Sequence, residues 1–465
     1  MSTSSRRPEV KLWRRAVVPV ALVPVLLTGC SGDEEPAPAQ RPRHERNADD
    51  VHQKDPPPQP AVAPALDRAL RDRAAAVRST DRAAFLAGVA GGDASFVADQ
   101  TTYFENLDQL PLARFAYSLD PTSLARTGRD YWATVQVTMQ LDGYDARPVV
   151  RPDRYRFTPQ GKGRYAVASV TDPAWESRSE LDPQPWDLGP ITVRTGHRVL
   201  GVFDAGSKET AHAVMGEVEN GISAVDAAIP YDWDGGVVLY ALDDPAFLSG
   251  LDNVPGADPL SLDAVSFEVM ATPEGRTVAS TRFVLNPDVL GEAGPGRGRL
   301  IRHELTHVAL GSRADDVPAW LSEGLAEYVS VRPMAPEDRA ISGAALSAAE
   351  DGLSALPTDQ DFGGPRAEAG YGISWWACEY LASAYTESIL WTLLEAMPDG
   401  RPDDVLEDLI DMGEGELARR AGKLMLDTYR PEPEPRPSRS PSKSPSKSPQ
   451  KSSQKSPKNS PGRSG

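Results

Sequence analysis

Cysteine and histidine are scarce in this 465-residue chain, with two of the first and six of the second. Cys30 ends an N-terminal apolar stretch, and Cys378 lies inside an apolar helical run. A disulfide framework is therefore not expected. The folded regions must be held by their cores or by metal, and Cys378 reads as a small buried hydrophobe. Long apolar runs are missing as well. The stretch 16–27 has twelve residues, too few to span a bilayer, and Pro19 and Pro24 interrupt it. Positive charge is in deficit: the formal net charge is -18, which argues against nucleic acid as a partner.

The two ends carry signals of their own. Arg6, Arg7, Lys11, Arg14 and Arg15 precede the apolar stretch and small residues follow it, as in a secretory signal. Leu27-Thr28-Gly29-Cys30 resembles a bacterial lipobox. The resemblance implies lipidation of Cys30 as the new N-terminus and a lipid anchor at the extracytoplasmic face of the cell membrane. Ser5-Arg6-Arg7 echoes a twin-arginine signal, but Glu9 stands where that pattern wants an apolar residue, so general secretion is expected. Residues 1–30 are thus expected to be a signal peptide. Residues 31–64, rich in Pro, Asp, Glu and Arg, read as a disordered spacer in which His44 and His52 are solvated. Residues 431–465 repeat Ser-Pro with Lys, as in Ser440-Pro441-Ser442-Lys443. They read as a disordered basic tail that solubilises the chain, contacts anionic wall polymer or headgroups, or is phosphorylated.

Removing these ends leaves roughly 365 residues, more than one ordinary core holds, so two domains are expected. Residues 65–178 open with a helical pattern and continue with strand-like stretches at 131–141, 149–157 and 164–170. A helix followed by curved antiparallel strands resembles the NTF2-like, cystatin-like α+β cone. Ala83-Ala84-Phe85-Leu86, Phe104-Glu105-Asn106-Leu107 and Leu110-Pro111-Leu112-Ala113 carry that look. No acid–base set converges there, so a packing or binding module is expected. Residues 186–430 place β-like stretches at 191–203, 236–242, 264–272 and 277–285 around a helix at 208–228, and turn mostly helical from residue 297. That order predicts an α+β domain in which a small antiparallel or mixed sheet backs a mainly helical C-terminal part. His197 and His212 read as surface or core residues.

The chemistry concentrates in His303-Glu304-Leu305-Thr306-His307. On a helix, residues four apart share a face, so both imidazoles can meet one ion. Glu304 is offset by about 100°, where it reaches a water rather than the ion. Leu300, Ile301, Leu305 and Val308 give a helix at 297–310 its apolar side, and Gly311 offers its stop. Two neutral imidazole nitrogens suit Zn²⁺, which in a catalytic site needs a third protein ligand and an open position. Just after Pro318, where a helix would start, comes Trp320-Leu321-Ser322-Glu323-Gly324-Leu325-Ala326-Glu327-Tyr328, whose Glu323 stands sixteen residues after His307. A helix antiparallel to the first would bring Glu323 to the ion. Glu327, on the same face, would accept a hydrogen bond from the far nitrogen of a ligand histidine.

These two segments resemble the gluzincin metallopeptidases of the MA clan, in their short peptidase-MA-like group. The resemblance implies one Zn²⁺ held by His303, His307 and Glu323, with Glu304 as general base for attack of zinc-bound water on a peptide bond. It continues through Asp361-Phe362 and Tyr371-Gly372-Ile373-Ser374-Trp375-Trp376, where a tyrosine implied by the family donates to the oxyanion. Tyr371 is the candidate, with Tyr328 and Tyr380 as competitors. A peptide or protein substrate is expected to add to a sheet edge, for which 277–285 is the expected strand. The gap from His307 to Glu323 is shorter than in the large aminopeptidases of the clan, and their amino-terminus recognition signature has no counterpart here. Two other readings stand beside the peptidase: a binding lipoprotein on a structural-zinc scaffold, and a zinc amidase acting on wall material.

Overall fold

The computed structural model describes residues 61–430 except 180–182, 234–235, 252–259, 261, 274 and 293. The signal segment with Cys30, the spacer up to residue 60 and the tail 431–465 lie outside the described residues. Helix α1 (Val62–Arg78) begins inside the segment expected to be spacer. Val62, Leu66, Leu70, Ala74 and Val77 fall three or four apart and are all buried, so residues 62–64 belong to an amphipathic helix. Helices α2 (Arg82–Ala87) and α3 (Ala94–Gln109) each start at an aspartate, Asp81 and Asp93, whose carboxylate accepts backbone N–H bonds from the first turn.

Five strands follow: β1 (Leu112–Leu119), β2 (Ala125–Thr127), β3 (Asp130–Leu141), β4 (Val149–Gly161) and β5 (Arg164–Ser169). They pair antiparallel throughout, in the order β1-β3-β4-β5, with β2 alongside β3. Short helices α4 (Pro173–Ser179) and α5 (Pro185–Leu188) lead to a second sheet.

That sheet holds β6 (Ile191–Gly196), β7 (Val199–Asp204), β8 (Val237–Ala241), β9 (Ala264–Met270) and β10 (Val278–Leu285), in the order β6-β7-β8-β10-β9. The stretch 191–203, continuous in its sequence pattern, is a hairpin that turns at Arg198 with φ near +60°. β7, β8 and β10 run parallel, while β6 and β9 pair antiparallel on either side. The edge strand expected at 277–285 is therefore interior: β10 is bonded to β8 on one side and β9 on the other. β9 ends the sheet instead, because the hairpin folds back past β10 and puts the earlier strand outermost.

Both faces of this sheet are covered. Val199, Phe203, Val237, Leu239, Ala241, Phe283 and Leu285 pack against α6 (Ala211–Ala228) and the later helices. The alternate residues Leu200, Val202, Val238, Tyr240, Val265 and Val284 join one core with Leu66, Phe85, Phe115 and Tyr155 of the first region. Period-two alternation thus divides each strand between two cores, so β8 is buried at all five positions. A buried ion pair fastens the two regions. Arg282 Nη2 lies 2.8 Å from Asp145 Oδ1, which also accepts from Ser280 Oγ at 2.8 Å. The Asn106 side chain bridges the backbone of Trp186, Gly189 and Ile191.

After α7 (Ala246–Ser249) and α8 (Pro287–Leu290) the rest is helical: α9 (Pro295–Leu310), α10 (Ala319–Val331), α11 (Gly343–Asp351), α12 (Ala367–Ala384), α13 (Ser388–Ala396), α14 (Pro402–Ile410) and α15 (Glu414–Tyr429). The chain is α+β, with strands before residue 286 and helices alone after it. Every residue of α10 is buried. Gly324 allows this, since a Cβ there would sit 2.5 Å from Ser374 O and 2.8 Å from Cys378 Sγ on α12. Cys378 is fully buried and burial pushes its thiol well up, as a small core hydrophobe requires.

Candidate metal centre

Helix α9 is held from two sides before it presents any chemistry. Leu300, Ile301 and Leu305 enter the main core, and Gly221 of α6 lets Leu305 Cδ1 approach to 2.7 Å of where a Cβ would stand. Gly311 ends the helix at φ +50°, a conformation that favours glycine. The remaining face of α9 looks at α10. Arg302 Nε donates to Ser330 O at 2.6 Å, Arg299 pairs with Glu327, and His303 and His307 meet Glu323.

Three ligand-type atoms converge in that seam. His303 Nε2 lies 3.3 Å from His307 Nε2 and 3.3 Å from Glu323 Oε2, and His307 Nε2 lies 3.5 Å from the same oxygen. No fourth His, Cys, Asp or Glu joins this group among the described residues. Glu323 is 1% exposed, so its carboxylate has left bulk water. Glu327 sits one turn further along α10, and its Oε1 is 3.2 Å from His303 Nδ1. A carboxylate there accepts a hydrogen bond from Nδ1–H and leaves Nε2 as the lone-pair nitrogen facing His307 and Glu323. Burial alone would raise the Glu327 carboxyl, but Arg299 and then His303 outweigh it and pull it down to about 2.

Glu304 is fully buried on the α9 flank turned toward the sheet. Ser266 Oγ of edge strand β9 donates to its Oε2. Residues Ala264 and Val265 of the same strand are buried, while Ser266 is half-buried. The edge strand is thereby joined through Ser266 to the residue that follows His303 on α9.

The tyrosine candidates separate by location. Tyr371 of α12 has its ring 6.0 Å from the His303 ring and 5.2 Å from Phe362, in a small cluster apart from the main core. The Tyr328 hydroxyl accepts from Arg332 at 2.8 Å, and that of Tyr380 from Arg420 at 2.9 Å. Both of these face other partners. His197 and His212 are exposed and do not join the group of His303, His307 and Glu323. Cys30 lies outside the described residues.

Two contacts here were not anticipated from the sequence. Arg299 stands four residues before His303, a spacing that signals a shared helix face, although nothing local says that its partner is Glu327. Ser266 has no such signal, because a strand serine resembles any other until the sheet order puts it at the edge.

No family profile and no curated protein matches this chain. Among solved structures it is similar to native yeast LTA4 hydrolase, with a TM-score of 0.31 and 13% identity, over 60% of this chain. The chain spans 45% of the length of that protein.

Proposed function

We propose that this chain is a zinc-dependent peptidase of the gluzincin type, secreted and held at the outer face of the membrane by lipid on Cys30. The carrying observation is the triangle of His303 Nε2, His307 Nε2 and Glu323 Oε2, with sides of 3.3, 3.3 and 3.5 Å. A tetrahedral ion with ligands at about 2.0–2.1 Å has donor–donor edges of about 3.3–3.4 Å. Charge supports the same reading. Glu304, Glu323 and Glu327 are buried together, with Arg299 paired to Glu327, and a divalent cation would offset the gathered negative charge. Three protein ligands rather than four favour a catalytic site over a structural one.

When bound, the metal supplies a Lewis acid that polarises a carbonyl and acidifies water. The chain's residues do the rest. Glu304, steadied by Ser266, takes a proton from the attacking water and returns it to the nitrogen of the leaving amine. Tyr371, beside His303, donates its hydroxyl to the oxyanion. A substrate peptide adds along β9, whose backbone offers the open edge beside Glu304. The first region, an NTF2-like cone in this reading, is a packing module that covers the back of the sheet.

The test is direct. The chain without residues 1–30 is purified, its zinc counted, and casein, a peptide library and wall fragments are offered to it and to Glu304→Gln. About one zinc per chain, with peptide cleavage lost in the variant, supports the peptidase. Cleavage of wall fragments alone moves the assignment to an amidase, and absence of zinc at neutral pH overturns both.

A further inference from the structure

We propose that Arg299 is a positioning residue of the metal centre: it orients Glu327 against His303 and thereby sets the affinity of the site for its metal. The inference rests on the zinc reading and adds a residue that this reading does not require.

Arg299 lies one helical turn before His303 on α9, and its side chain is 12% exposed. It uses its guanidinium in three directions. Nη2 pairs with Glu327 Oε2 at 2.6 Å, Nη1 donates to Ala340 O at 2.9 Å, and the planar group stands 4.9 Å from the Trp375 ring centroid. It therefore ties α9 to α10, to the segment before α11, and to α12. A lysine offers one compact charge and cannot bond two segments while stacking on a third.

The consequence reaches the metal through two bonds. A carboxylate can rotate about its last torsion, so either oxygen can face a given donor. With Oε2 held by Arg299, Oε1 stays at 3.2 Å from His303 Nδ1. The Nδ1–H tautomer then prevails, and His303 Nε2 keeps its lone pair toward His307 and Glu323. Without Arg299 the carboxylate loses its anchor, and His303 samples the other tautomer and other ring angles. Partners of this kind are worth about 10–100-fold in metal affinity.

The experiment uses the full chain, with Zn²⁺ affinity measured by competition against a chromophoric chelator and site geometry read from the visible spectrum of the Co²⁺ form. Arg299→Met is expected to bind Zn²⁺ about 10–100-fold more weakly and to shift the Co²⁺ bands. Arg299→Lys is expected to recover part of the loss. In a Glu327→Gln background, Arg299→Met should cost little more, because both act through one carboxylate. Unchanged affinity in Arg299→Met, or losses that simply add in the double variant, overturns the proposal. Should the Met variant fail to fold, Arg299→Lys decides: a several-fold loss supports the proposal and wild-type affinity overturns it. Absence of zinc from the wild-type chain would instead defeat the metal reading, so the two failures are distinct.

Discussion

Two clusters of buried charge in this protein look alike and are balanced in opposite ways. At the junction of the two regions, Asp145 and Arg282 are 1% and 3% exposed, and each charge meets the other. Ser280 and Tyr240 complete the hydrogen bonding, so the cluster is closed. At the seam of α9 and α10, three carboxylates gather around two imidazoles and Arg299. The first cluster needs nothing from outside, whereas the second gathers more carboxylates than cations, an excess that the dication of the proposed function would offset. Buried charge alone does not distinguish a fastening from a functional site; the sum of the charges does.

The largest effect expected from breaking this contrast is chemical. Glu304→Gln keeps the shape of the site but removes the proton acceptor, and hydrolysis should fall by about 100- to 10,000-fold. Zinc content should stay near that of the wild type, which metal analysis checks. At the junction, Asp145→Ala leaves Arg282 buried without its counter-charge, and urea unfolding should show a loss of about 3–5 kcal/mol. Replacing both partners, Asp145→Leu with Arg282→Met, should recover most of that. Such a rescue is expected only for the closed cluster.

Metal removal should act on the second cluster alone. Zinc at a free concentration 100 times its Kd stabilises the folded chain by about 2.7 kcal/mol. A chelator should therefore lower the melting temperature of the wild type and of Asp145→Ala by similar amounts, but leave His303→Ala nearly unchanged. Tyr371→Phe is expected to lower kcat more than KM, by about 10-fold or more, if its hydroxyl meets only the transition state. The smallest effect is expected on the surface. Lys423 and Asp427 form an exposed pair, and Lys423→Ala should leave the melting temperature unchanged within measurement.

Much of the site was legible because its parts are local. His303, Glu304 and His307 lie within five residues, and helical periodicity alone orients them. Glu323 and Glu327 repeat the same spacing on the next helix. The strand order was not legible. Residues 278–285 are the last strand before α9, yet the sheet places β10 inside and β9 outside. Adjacency in sequence says nothing about which strand of a hairpin reaches the neighbouring parallel strand first. β1 was not marked as a strand, because only Phe115 and Tyr117 of its eight residues are buried, and pairing with β3 makes it one. The start of α1 was hidden by the prolines before it, while its first buried residue, Val62, belongs to a stripe visible once the whole helix is known.

By itself the sequence determined the chemistry available on each helix: two imidazoles on one face, a carboxylate beside them, and paired glutamates sixteen residues later. These are consequences of a repeat of about 3.6 residues, which needs no knowledge of neighbours. Tertiary structure decided what that chemistry meets. It set Arg299 against Glu327, Ser266 against Glu304, and Tyr371 beside His303. It also placed the first region on the far face of the sheet. The reason is physical: such partners come from distant segments brought together by close packing of two cores, and short-range periodicity carries no record of that packing.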